Sequence, residues 1–102
     1  MIRINALVKK RVSLLRYADI SYDYTSQLLK KDEKIINLAH IENLIFELLM
    51  KNIGKIVTKE QFFEVMEKPT DAGLRVHINR LKKLLELNIS NLRGVGYRLE
   101  KV

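Results

Sequence analysis

Gly73-Leu74-Arg75-Val76-His77-Ile78-Asn79-Arg80-Leu81-Lys82-Lys83-Leu84-Leu85-Glu86-Leu87 is the stretch on which the reading of this chain turns. At 100° per residue, Leu74, Ile78, Leu81 and Leu85 fall in one narrow arc, the core stripe of an amphipathic helix. The opposite arc holds Arg75, Val76, Asn79, Arg80, Lys82, Lys83 and Glu86. A helix that only fills space needs none of these in particular. A helix lying in a major groove uses them all: cations for phosphates and guanine edges, an amide for adenine, methyls for thymine. Such a helix spans about 20 Å, enough to fill the groove locally.

On its C-terminal side, Ile89 to Leu99 reads as two strands around Arg93–Gly96, with Gly94 and Gly96 permitting a tight reversal. Arg93 at the reversal and Arg98 beyond it are placed to meet a phosphate backbone or a minor groove. On the N-terminal side, Thr58-Lys59-Glu60-Gln61 is a capping box: the threonine hydroxyl takes an orphan amide and Gln61 reaches back. The helix it opens carries Phe62, Val65 and Met66 on one side, and Pro69 is the expected stop. A further helix is predicted over about 40–51, burying Ile41, Leu44, Ile45, Leu48 and Leu49. His40, Glu42, Asn43, Glu47 and Lys51 look outward, and Asn52 and Gly54 end it.

Ile20, Tyr22 and Tyr24 alternate with Ser21 and Asp23, the period of a half-buried strand. Leu28-Leu29 and Ile35–Leu38 are further short strands, joined by a turn at Lys31–Lys34. Residues up to Asp19 show no period and read as connector, apart from a short helix-compatible run at 2–8 that ends in Lys9-Lys10-Arg11. The tyrosines at 17, 22 and 24 fit strand packing better than a stacking platform for single strands, because no basic residues interleave with them. The order is thus strands, helix, helix, helix, hairpin. This is an α+β chain: a winged helix-turn-helix with an N-terminal antiparallel sheet, three helices and a C-terminal hairpin wing.

Composition agrees. The chain has 102 residues, enough for one modest domain, and a 47% hydrophobic fraction argues for a packed core. Lys and Arg number 19 against 12 acids, a net charge of +7 at pH 7, which favours a polyanionic partner. The excess is uneven. Residues 1–19 carry +4, residues 20–67 carry −2, and residues 68–102 carry +5. Cysteine is absent, so disulfides and thiolate metal sites are excluded. His40 and His77 are the only imidazoles and lack a ligand spacing, so neither a metal nor another cofactor is expected. No nucleophile motif, phosphate loop or His–acid pair points to an enzyme. No apolar stretch is long enough for a membrane span or a secretory signal, and the expectation is a cytoplasmic protein without a membrane partner.

In its motifs the chain resembles the C-terminal DNA-binding effector domain of bacterial response regulators of the OmpR/PhoB type. Arg93-Gly94-Val95-Gly96-Tyr97-Arg98-Leu99 and Val76-His77-Ile78-Asn79-Arg80-Leu81 match that family's most recognisable stretches. Leu38-Ala39-His40-Ile41-Glu42 and Thr58-Lys59-Glu60-Gln61-Phe62 match the starts of its first two helices. The resemblance covers about residues 17–102. Residues 3–11 resemble the end of the receiver domain's last helix, which implies a division into a receiver remnant and linker (1–16) and a DNA-binding domain (17–102). It further implies double-stranded DNA as partner in direct-repeat half-sites, a second copy on that DNA, and a receiver domain upstream. RNA polymerase is a family partner, but the Lys68–Ala72 loop is shorter than in standard members and counts against that contact. Two other departures are Arg75, where the family commonly has an acid, and Met66 in place of a tryptophan.

Val76, Asn79, Arg80 and Lys82 are the expected base-contacting residues. Arg75, His77, Lys83, Arg93 and Arg98 are the expected backbone or wing contacts, His77 on the strength of the resemblance. Arg80 has the alternative of holding an internal acid, and His77 that of a half-buried histidine bonded to backbone. Thr58, Gly94, Gly96 and Tyr97 read as structural, Tyr97 covering the sheet and Gly96 letting the hairpin bend. Glu42 and Glu60 read as caps or intramolecular salt-bridge partners. The competing functions are a winged helix that binds an acidic protein surface and, on the tyrosines alone, an RNA-binding domain.

Overall fold

The computed structural model describes residues 14–101, which form two compact units. The 3–11 segment, read as a receiver-helix remnant, lies outside the described residues.

The first unit is a four-stranded antiparallel meander, β1 (Leu14–Tyr17), β2 (Ile20–Asp23), β3 (Leu28–Lys31) and β4 (Lys34–Ile36), in sequential order. Tyrosine and aliphatic side chains suit a pleated, half-buried surface. Leu15, Tyr22, Leu29 and Ile36 stand in one cross-strand row, and Tyr17, Ile20, Tyr22 and Leu29 are buried. Leu14, Leu28 and Ile35 are exposed on the opposite face. Asp32 and Glu33 both take positive φ (54° and 67°), so the Lys31–Lys34 turn is of the mirror-image kind that matches strand twist, even without Asn-Gly. The Asp19 side chain accepts from Lys31 Nζ at 2.9 Å, and its carbonyl accepts from the Asp32 amide, also at 2.9 Å. β1 falls in the stretch expected to be connector. Its adjacent leucines blur the period-two signal, and it pairs with a neighbour on one side only.

The second unit begins at Leu38. Helix α1 (His40–Lys51) buries Glu42, Asn43, Ile45, Phe46, Leu49 and Met50. Its phase therefore differs from the expected one: Glu42 and Asn43 turn inward, while Ile41, Leu44 and Leu48 are only half-buried. Polar side chains tolerate that position when bonded. Asn43 donates to the Leu38 carbonyl at 3.3 Å, and Glu42 meets the side chains of His77 and Arg80, described below. The Asn52 side chain caps the far end through the Leu48 carbonyl (2.7 Å).

Strand β5 (Ile56–Thr58) runs without a linker into α2 (Lys59–Phe63). The capping box is present: Thr58 Oγ1 accepts from the Gln61 amide at 3.3 Å, and Gln61 Oε1 accepts from the Thr58 amide at 2.9 Å. The helix ends well before Pro69. After Phe63 the amides of Val65 and Met66 bond three residues back, to Phe62 and Phe63, and the tightened turn breaks the helical ladder. Phe62 is fully buried, with Val65 and Met66 half-buried.

Helix α3 (Asp71–Leu85) starts two residues before the expected Gly73, because Thr70 supplies a cap: its hydroxyl accepts from the Gly73 amide at 2.9 Å. It stops at Leu85, where Glu86 takes the left-handed conformation (φ 56°). Leu74, Ile78, Leu81 and Leu85 are all buried, as the stripe requires. Strands β6 (Ile89–Leu92) and β7 (Gly96–Leu99) form the hairpin, and β7 lies between β5 and β6 in a three-stranded antiparallel sheet. Gly94 holds φ +75° at the reversal. Gly96 has a different reason: it pairs with Thr58, and a Cβ there would stand 2.0 Å from the Val57 carbonyl oxygen. Clearance, not bending, requires glycine at 96. Tyr97 is buried edge-on against Phe62, with centroids 6.0 Å apart and planes at 75°.

Candidate nucleic-acid interface

With Leu74, Ile78, Leu81 and Leu85 hidden, α3 presents a polar and cationic face, although Leu84 is also exposed. Val76, Asn79, Arg80, Lys82 and Lys83 together line a shallow recess of about 480 Å³. Val76 is 55% exposed, which leaves its methyls free on this face. Every residue expected to touch base edges is in this group, and Lys82 and Lys83 share it.

A second recess, about 470 Å³, opens where the start of α3 meets the hairpin. Arg75 and Arg93 line it together with Lys59, Asp71, Asn91 and Gly94. Lys59 Nζ and Asp71 Oδ1 are 3.2 Å apart, and Asp71 also sits in the first turn of α3, where the helix dipole favours an anion. Lys59 and Asn91 were not expected here. Lys59 is the first residue after the Thr58 cap, and only the folding of the hairpin over that helix start places it beside Arg93.

His77 is half-buried behind the α3 face. Its Nδ1 lies 3.2 Å from Glu42 Oε2, so its partner is a carboxylate and not the backbone. A carboxylate only accepts, which puts the proton on Nδ1. Arg80 Nε lies 3.3 Å from the same Glu42 oxygen, while its side chain stays 67% exposed. The two readings of Arg80 are therefore compatible: it holds an internal acid and still faces outward.

Arg98 stands apart from both recesses. It lies in β7 between Ile56 and Ser90, and its Nε donates to Glu100 Oε2 at 2.9 Å. Ser90 also donates to that carboxylate oxygen, and the two bonds hold the Glu100 carboxyl below its ordinary range, Ser90 contributing most. Among the described residues no group of three or more His, Cys, Asp or Glu is arranged to hold a metal ion. No described helix is long and apolar enough to cross a membrane.

Comparison with known proteins gives a consistent picture. The family model described as "Transcriptional regulatory protein, C terminal" matches residues 32–99. A CpxR homologue described as a transcriptional regulatory protein of Haemophilus influenzae is 33% identical over 98 residues, covering 86% of this chain and 43% of the relative. Among solved structures, the Thermotoga maritima response regulator DrrB, an OmpR/PhoB homologue, superposes with a TM-score of 0.76 at 28% identity, over 95% of this chain and 51% of that one. The DNA-binding domain of the response regulator AdeR, solved in complex with an intercistronic region, gives 0.74 at 25% identity, over 85% of this chain and 98% of that one. The chain thus spans about half the length of the longer relatives it matches.

Proposed function

The chain belongs to the C-terminal transcriptional regulatory family, as a winged-helix effector domain of the OmpR/PhoB type, and from that premise we propose that it binds double-stranded DNA sequence-specifically to control transcription. The observation that carries this is the α3 face: its apolar side is buried, and its amide, valine and cations open together onto one recess. In this reading Val76, Asn79, Arg80 and Lys82 meet base edges in the major groove. Arg75, His77, Lys83 and Arg93 meet phosphates, with Lys59 joining Arg93 at the wing. Arg98 contributes charge near the wing while tied to Glu100. The AdeR DNA-binding domain, similar in fold and sequence, was solved in complex with an intercistronic region, which supports DNA binding here.

The finer arrangement follows the family. Two copies occupy direct-repeat half-sites, and a receiver domain lies on the N-terminal side of the β1–β4 sheet, whose first strand (Leu14–Tyr17) moves the expected domain boundary at residue 17 upstream. The connection between α2 and α3 (64–70) is short, which leaves little chain for an RNA polymerase contact.

The test is site selection from a randomised duplex pool, followed by titration at several salt concentrations. With six to eight phosphates neutralised, log affinity falls against log salt with a slope of about −5 to −7. Arg75→Asp weakens binding to all duplexes. A chain that selects no sequence, or whose affinity ignores salt, is not acting through this face.

A further inference from the structure

We propose that Glu42, on α1 and outside both recesses, is a positioning residue that sets base preference by orienting Arg80 toward a guanine. This rests on the DNA-binding reading above. Glu42 is 3% exposed, on a helix face otherwise built from Ile45, Phe46, Leu49 and Met50, with Asn43 beside it. A carboxylate is retained in such a place only when its oxygens are bonded. Here a single oxygen, Oε2, is approached by two residues of α3: His77 through Nδ1 at 3.2 Å and Arg80 through Nε at 3.3 Å. Both reach across 35 or more positions of sequence, so the contact is tertiary.

The choice of atom matters. A guanidinium is a rigid planar fork with donors on Nε and both Nη groups. The ion pair with Glu42 falls on the Nε side, and the Arg80 side chain, 67% exposed, lines the recess shared with Asn79 and Lys82, so an Nε held from behind would leave the two Nη groups for a ligand there. Two parallel N–H donors at that end match the O6 and N7 acceptors of guanine. A free arginine on a helix would sample many rotamers and behave as a mobile cation for any phosphate. Held by Glu42, it becomes an oriented donor pair. Charge and sequence-independent affinity do not depend on Glu42, whereas selectivity at one base pair does. His77, bonded to the same oxygen, fixes that oxygen from the other side.

The experiment uses the full chain, with two probes: the duplex it selects from a randomised pool, with each guanine replaced in turn, and a scrambled duplex. The wild type discriminates at one guanine by about 5- to 150-fold, the value of one bidentate contact. Glu42→Gln reduces that preference to below about threefold, while affinity for the scrambled duplex holds or rises because a negative charge is gone. Arg80→Lys flattens the same position, and adding Glu42→Gln to Arg80→Lys changes nothing further there. Retained guanine preference in folded Glu42→Gln overturns the proposal. An equal loss on all duplexes, accompanied by a lowered melting temperature, overturns it too and makes Glu42 merely structural. A wild type that selects no sequence refutes the DNA-binding reading instead. If Glu42→Gln does not fold, the wild-type Arg80 Nε–H NMR signal, assigned through Arg80→Lys, decides: a distinct, exchange-protected resonance supports the proposal, and a solvent-averaged one overturns it.

Discussion

Replacing Gly96 with alanine tests why that residue is glycine. An added Cβ meets the Val57 carbonyl oxygen at 2.0 Å, Thr58 Cα at 2.8 Å and the Val57 carbonyl carbon at 2.9 Å. All three are backbone atoms, so no side-chain rotation relieves the contact. β5 and β7 must separate by about 1 Å from the usual spacing of about 4.8 Å. Overpacking of this kind costs about 1–3 kcal/mol, and a weakened ladder bond at the Thr58–Gly96 pair adds about 1 kcal/mol. The expected loss is about 2–4 kcal/mol, which lowers the melting temperature of a domain this size by about 8–30 °C. Gly94 supplies the control. It has φ +75° and nothing within 4 Å of an added Cβ, so its need is conformational. Gly94→Asn should be nearly silent, because asparagine tolerates that region, whereas Gly96→Asn should be at least as damaging as Gly96→Ala. Thermal melts by circular dichroism decide. A Gly96→Ala melt within about 4 °C of wild type, or a larger loss from Gly94→Asn than from Gly96→Asn, refutes the clearance argument.

Thr58→Ala removes one half of the capping box and should cost about 1 kcal/mol in urea unfolding, with little further loss on adding Gln61→Ala; fully additive losses would show that the two side chains act separately. The Glu100 carboxyl is held below its ordinary range by Ser90 and Arg98, so the folded chain binds fewer protons there than the unfolded one. Its stabilisation is present above the ordinary glutamate range and fades as pH falls through that range to the lowered value. The stability gap between wild type and Glu100→Gln should therefore close on acidification, and a gap that stays constant from neutral to acid pH refutes it.

Signals confined to a few neighbouring residues were legible before the structure. The leucine stripe of α3, the Thr58–Gln61 box, the Ile20–Tyr22 alternation and the two strands flanking Arg93 all depend on local spacing, and each is present. What escaped depends on distant chain. Glu42 looks like a surface residue until His77 and Arg80 arrive from α3, so the polarity of Glu42 and Asn43 points to a different phase for α1 than the packed helix adopts. Lys59 joins Arg93 only because the hairpin reaches the start of α2. The early end of α2 reflects a shift to three-residue bonds that Phe62, Val65 and Met66 at helical spacing do not announce. For Gly96, two routes lead to glycine, and only the position of Val57 distinguishes them.

The seam at Thr58 and Lys59 has a consequence for how this gene can change length. Thr58 ends a strand and caps a helix at once, and the next amide, that of Lys59, donates to the Val95 carbonyl at 2.9 Å. One inserted codon there would turn the following helix by about 100°, carrying Phe62 out of the interior. One inserted inside β5 would exchange the two faces of that strand. Insertions and deletions between relatives should accordingly gather in the 64–70 segment, which joins the two helices, and leave this junction uninterrupted.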